Sequence, residues 1–251
     1  MKVCMIFLHV GHDLGRILVN SLTTLRAAGY DEDICVFTNV EPSATLKTAL
    51  SRFNADYVLL ELKDGTGTDA YSNFGSSRFN TVTHLKWQII QRSFKRGYQL
   101  VVYSDCDIGF LADYTSFLSA LSKRSPIGMQ SEAEATYSTQ ICTGFMYFRR
   151  SLFARSVLAW LDYASGPHRV DKNDQQFFND FLKKKPALRR RIHILPESKF
   201  PVGHLQNLVL PHPEPAVITP RFPPFLFHAN WISGLENKEK MLREARLWVI
   251  D

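Results

Sequence analysis

The sequence predicts an α/β fold: a central, mostly parallel sheet flanked by helices, in a single domain spanning 1–251. Three observations predict it. Strand-like apolar runs alternate with helix-length amphipathic segments from the first residues onward, the pattern of β-α-β units joined by right-handed crossovers. Several of those runs are almost continuously apolar, as in strands covered on both faces. The chain has 251 residues, 45% of them hydrophobic and 22% charged, which is the balance of a globular protein with a sizeable core.

Residues 2–9 (KVCMIFLH) form the first such run. The run is short, His12 and Asp13 follow at once, and no small-residue cleavage site appears, so it reads as a buried strand and not as a leader. Residues 11–15 break it, and residues 16–28 then carry apolar positions at helical spacing up to the stop at Gly29. A strand at 33–38, a helix at 45–53 and a strand at 57–62 continue the alternation. Residues 65–77 (GTGTDAYSNFGSS) read as a loop. A long amphipathic helix is expected at 79–96, stopped by Gly97, and the most central strand at 99–104 (QLVVYS). Further on come a helix at 117–122, a weak strand at 127–130 and a strand at 141–148. Helices at 152–163 and 174–184 lead to a short strand at 192–195. Residues 196–224 are Pro-rich and read as loop. A last strand at 225–228 and a closing helix at 237–248 complete the chain.

The net charge is +6 and the isoelectric point about 9.1. That balance suits an anionic ligand such as a nucleotide, or peripheral contact with an anionic surface; nothing points to nucleic acid. The basic run at 183–193 (KKKPALRRRIH) is the densest part of it. No apolar stretch reaches the roughly 20 residues of a membrane span. Cys4, Cys35, Cys106 and Cys142 show no CxxC spacing, so a cysteine metal site is not expected. Cys4 and Cys35 lie in apolar runs and suit a reducing compartment, so a cytoplasmic location is expected, at most peripheral to the inner face of a membrane.

Two segments carry chemistry. In VVYSDCDIGFL (101–111), Asp105 and Asp107 follow a buried strand. Alternate strand residues point the same way, and open parallel sheets bind ligands beyond the carboxyl ends of their strands. Two anions against such a strand are costly without a cation, and a hard divalent ion takes oxygen ligands. In FLFHANWISGLENK (225–238), His228 follows a second apolar run. A neutral imidazole is a suitable third ligand for an ion such as Mn²⁺. Gly234 permits close backbone approach to a phosphate, and Lys238 supplies a point charge.

These stations together resemble the nucleotide-diphospho-sugar transferases of the GT-A fold. The likeness is strongest to the family of plant pectin α-xylosyltransferases and weaker to the glycogenin and lipopolysaccharide galactosyltransferase family. The matching residues are Lys86-Trp87, YSDCDIGFL at 103–111, TGFMYFRRS at 143–151, NDQQFFN at 173–179, and HANWISG with Lys238. The resemblance implies a nucleotide-binding half at 1–110 and a sugar and acceptor half at 111–251. It implies that Asp105, Asp107 and His228 hold Mn²⁺ or Mg²⁺, with Cys106 beside the donor. His9, Val10 and Gly11 with Thr38 and Asn39 would line the nucleobase. Lys86 and Arg78 would face the diphosphate or sugar, Asp174 and Gln175 the reacting carbon, and Gly234 and Lys238 the diphosphate. Trp231 would stack on an acceptor. The activity implied is transfer from a UDP-sugar, with retention, to a glycan, lipopolysaccharide or protein. Two positions depart from the family: Cys142 where Asn is frequent, and Gly109 where a bulky residue is frequent.

Two other classes compete. A phosphohydrolase with an aspartate nucleophile would want Thr or Val at position 109 and a later acidic pair. A degenerate transferase would only bind a glycan or partner. UDP release with and without Mn²⁺ separates the three.

Overall fold

The computed structural model describes residues 1–11, 14–61, 74–132, 140–203 and 224–251. The elements run β1 (Val3–His9), α1 (Gly15–Ala27), β2 (Asp33–Thr38), α2 (Ala44–Arg52), β3 (Ala55–Leu59), α3 (Ser77–Thr83), α4 (Leu85–Lys95), β4 (Leu100–Ser104), β5 (Ile108–Phe110) and α5 (Thr115–Arg124). They continue with β6 (Ile127–Ser131), β7 (Ile141–Arg149), α6 (Leu152–Ser165), α7 (Asp174–Lys184), α8 (Pro186–Arg189), β8 (His193–Leu195), β9 (Leu226–His228) and α9 (Leu235–Glu244).

A seven-stranded sheet has the order β3-β2-β1-β4-β7-β6-β8. The pairings β1–β2, β1–β4, β2–β3 and β6–β8 are parallel, whereas β7 runs antiparallel to both its neighbours, β4 and β6. The sheet is therefore mostly parallel, with one reversed strand near its middle. Strand alternation divides the core in two. Val3, Met5, Phe7, Val102, Phe145 and Tyr147 face the layer built with α1, α2 and α5, where Ile17, Leu22, Leu46 and Leu118 pack. Cys4, Ile6, Val101, Tyr103, Met146 and Phe148 face the opposite layer, where Trp87, Ile90, Leu158 and Phe178 come from α4, α6 and α7. All four cysteines are free and buried. No helix among the described residues is long and apolar enough to cross a membrane.

Four expectations need correction. The helix expected at 79–96 is two helices hinged at His84. At the junction the Trp87 N–H returns to His84 O at 3.3 Å, an i→i−3 bond in place of the i→i−4 ladder. The third strand lies at Ala55–Leu59, not 57–62. The closing helix ends at Glu244, because Arg246 takes a left-handed φ of 57°. The Leu247 N–H then returns to Leu242 O, the bond of a Schellman stop. Residues 108–110, read as the tail of the acidic motif, form β5, which pairs with β9 as a separate two-stranded ribbon. Of the Pro-rich stretch, Phe200 and Val202 are buried core residues. The rest of it from 204 to 223, and residues 62–73, which include positions 65–73 of the expected loop, lie outside the described residues.

Candidate active site

A cleft of about 590 Å³ opens at the carboxyl ends of β1 and β4, within the range of small-molecule sites. Its floor is the turn between β4 and β5. The Asp105 N–H donates to Gly144 O at 2.7 Å, and the Ala229 N–H to Asp107 O at 3.0 Å. These bonds fasten the acidic turn to β7 on one side and to the chain after β9 on the other. β5 pairs Ile108 with His228, which carries the histidine to the carboxylates. One ligand atom from each of Asp105, Asp107 and His228 lies within 4.8 Å of the other two. His228 Nε2 is 3.8 Å from Asp105 Oδ2 and 3.3 Å from Asp107 Oδ1. Gly144 makes this approach feasible: a Cβ there would overlap the His228 ring and sit 2.8 Å from Asp105 Oδ2.

The tautomer of His228 follows from its neighbours. The Gln130 side-chain NH₂ donates to Phe200 O at 2.9 Å and to Pro201 O at 3.0 Å. Only an amide nitrogen bonds two carbonyls, so the amide orientation is fixed. Its Oε1 then faces His228 Nδ1 at 3.0 Å, and Nδ1 must carry the proton. Nε2 is left facing the two carboxylates. That donor set, one nitrogen of the buried His228 with the buried Asp107 and the partly buried Asp105 at a cleft floor, fits a divalent cation such as Mn²⁺ or Mg²⁺. An acceptor that fixes a ligating histidine is the usual outer partner of such a site.

Charges continue outward in alternation. Lys86, 5% exposed, sits in the first turn of α4 with Nζ 3.2 Å from both Asp105 Oδ1 and Asp174 Oδ2. It also donates to Thr143 O at 3.4 Å and lies over the Tyr103 ring. Burial alone would lower its pKa, but Asp105 and Asp174 outweigh that and hold it above the ordinary lysine value. At the other end Lys238 bonds Asp107 Oδ2 and Ala229 O. Burial would raise the Asp107 pKa, but Lys238 and His228 hold it well below the usual carboxylate range. The cluster thus gathers three carboxylates and two ammonium groups around one imidazole.

The remaining expected residues divide. Asp174 and Gln175 line the cleft from the N-terminus of α7, where Asn173 and Gln176 form a capping box. The Asp174 N–H donates to Thr83 Oγ1, and Gln175 Oε1 accepts from the Thr143 N–H. Val10, Cys106 and the exposed Trp231 line it too. His9, Gly11, Thr38 and Asn39 do not, contrary to expectation. His9 Nδ1 lies 3.2 Å from Thr38 Oγ1, and the Gly11 N–H donates to Asn39 Oδ1. They brace the rim on which Val10 sits. Arg78 and Gly234 also lie outside the lining residues; Gly234, with φ 90°, starts α9 and so aims Lys238 at Asp107. Lys238 is thereby an ion-pair partner of the acidic turn and not an open point charge. Sequence reasoning missed Gln130, Glu132 and Asn230. Glu132 and Asn230 face each other across the cleft at 3.5 Å, and Asn230 is held by the Gly203 N–H.

A family model for nucleotide-diphospho-sugar transferases matches residues 44–242. The chain belongs to that family. The chain is 24% identical over 260 residues to the UDP-D-xylose:L-fucose alpha-1,3-D-xylosyltransferase 3 of Arabidopsis thaliana, covering 93% of the chain and 63% of the plant protein's length. Among solved structures it is similar to the galactosyltransferase LgtC in complex with donor and acceptor sugar analogs, with TM-score 0.63 and 11% identity over 99% of this chain and 97% of that one. Mouse xyloside xylosyltransferase 1 gives TM-score 0.55 and 13% identity, over 92% and 97% of the two chains. Those structural likenesses establish the GT-A fold of the transferase.

Proposed function

We propose that the chain is a metal-dependent glycosyltransferase that moves a sugar from a UDP-sugar to a glycan, lipopolysaccharide or protein acceptor, with retention at the anomeric carbon. The observation that carries this is the His228 ring, oriented by Gln130 so that Nε2 faces Asp105 and Asp107.

When bound there, a divalent cation neutralises charge that develops on the donor diphosphate. Lys86 holds Asp105 and Asp174 in place at the base of the cleft. Gln175, its carbonyl engaged by Thr143, has its NH₂ for a sugar hydroxyl, and Asp174 fixes the start of α7 beside it. Val10, Leu14 and Phe79 supply an apolar wall suited to the nucleoside. The bond from the anomeric carbon to the phosphate oxygen breaks while one forms to the acceptor oxygen on the same face, and the departing phosphate takes the acceptor proton. Trp231, exposed at the rim, suits stacking on the acceptor sugar.

The test is UDP release from a panel of UDP-sugars with Mn²⁺, Mg²⁺ or excess EDTA. Release only with metal, and an α-linked product from an α-configured donor, support the reading. Full activity in EDTA removes the metal, and a β-linked product removes retention.

A further inference from the structure

The positive charge of the chain is gathered at one place. Segments 115–131, 141–161 and 181–196 contain no Asp or Glu, yet hold Lys123, Arg124, Arg149, Arg150, Arg155, Lys183, Lys184, Lys185, Arg189, Arg190 and Arg191. Of 30 basic residues in the chain, these eleven leave nineteen against 24 acidic ones, so the remainder is net negative. The three segments meet at the end of the sheet opposite the cleft. Ser125 Oγ donates to Arg191 O, an Arg149 guanidinium N–H to Ser122 O, and the Arg191 guanidinium lies 3.8 Å over the Phe153 ring.

From that pole α6 runs back towards the cleft, and its outward face presents large apolar side chains beside Ser156 and Ala159. At 100° per residue, positions 152, 156, 159, 160 and 163 share one stripe. Leu152 is 82% and Tyr163 85% exposed. Trp160 is partly exposed and stacks on Phe181 of α7. Arg155 flanks the stripe.

We propose that the outer face of α6 and the adjoining basic pole dock on an anionic lipid bilayer. The charge complements acidic headgroups, while Leu152, Trp160 and Tyr163 are the residue types that settle at a membrane–water boundary. An acidic protein or a soluble polyanion would engage the arginines and lysines but would have no use for the exposed stripe. Docking on this side leaves the cleft uncovered.

Co-sedimentation of the full chain with phosphatidylcholine vesicles, with and without phosphatidylglycerol, tests this and needs no turnover, so its outcome is independent of the proposed donor chemistry. Binding is expected only with phosphatidylglycerol and is expected to weaken with salt. Lys184→Glu/Lys185→Glu/Arg190→Glu is expected to lower vesicle affinity by roughly a hundredfold. Leu152→Ser/Tyr163→Ser is expected to lower it by about tenfold while leaving retention on a heparin resin unchanged, with an unaltered thermal midpoint as the folding control. Absence of binding to anionic vesicles, or equal binding to both vesicle types, overturns the proposal. Vesicle binding that ignores Leu152→Ser/Tyr163→Ser also overturns it, because the outer face of α6 then takes no part in docking.

Discussion

The two ends of the central sheet carry opposite charge and handle it in opposite ways. At the cleft end, Asp105, Asp107 and Asp174 are held by Lys86, Lys238 and His228, with each partner engaged by more than one neighbour. At the other end eleven basic residues lie in segments without an acidic residue, with Lys183 pairing to Asp180 just outside them. Buried charge has to be matched within the fold because unmatched desolvation is costly. Exposed charge is solvated and can wait for a partner. The cleft end should therefore be brittle towards substitution, and the pole tolerant.

The comparison breaks most sharply at Asp107. Asp107→Ala removes one expected ligand and the partner of Lys238, and sugar transfer should fall to background in an assay of UDP release. Lys86→Met comes next. It strands two carboxylates around a buried position, and should cost about 3–5 kcal/mol in denaturant unfolding. If the loss is under about 1 kcal/mol, the network is solvated and the contrast is overstated. Gln130→Leu leaves both carboxylates in place but frees the His228 ring. Mn²⁺ affinity, followed by the paramagnetic signal of the free ion, should weaken by about 10–100-fold. An unchanged affinity would mean that His228 is held by other contacts. The smallest effect belongs to the pole: Arg190→Glu should leave UDP release unchanged and stability within about 0.5 kcal/mol.

Much of the frame was legible in the sequence because it follows from periodicity. The apolar alternation of residues 3–8 divides the core into its two layers, and the order of helices and strands followed. What escaped had no periodic signal. β5 and β9 have three residues each, too short to announce themselves, yet their pairing is what delivers His228 to the acidic turn. The helix break at His84 leaves no mark in a hydrophobic pattern. At the rim expected to line the nucleobase, parity separates the side chains. Leu8 and Val10 face the cleft, so His9 between them points away, towards Thr38. Gln130 was hidden for a different reason. It is a polar residue in a short buried strand, and only the packing of residues 200 and 201 against it reveals why.

The span of the acidic cluster along the chain has a consequence for folding. Asp107 and Lys238 are 131 positions apart, and Gln130 and His228 are 98 apart. No unfolded chain presents these groups together, so any cation or nucleotide that binds there binds the native state alone. Its free energy adds to folding by mass action, about 2.7 kcal/mol at a hundred times the dissociation constant. The melting temperature of the chain should thus climb with ligand concentration, which turns heat itself into an assay for the donor before any acceptor is known.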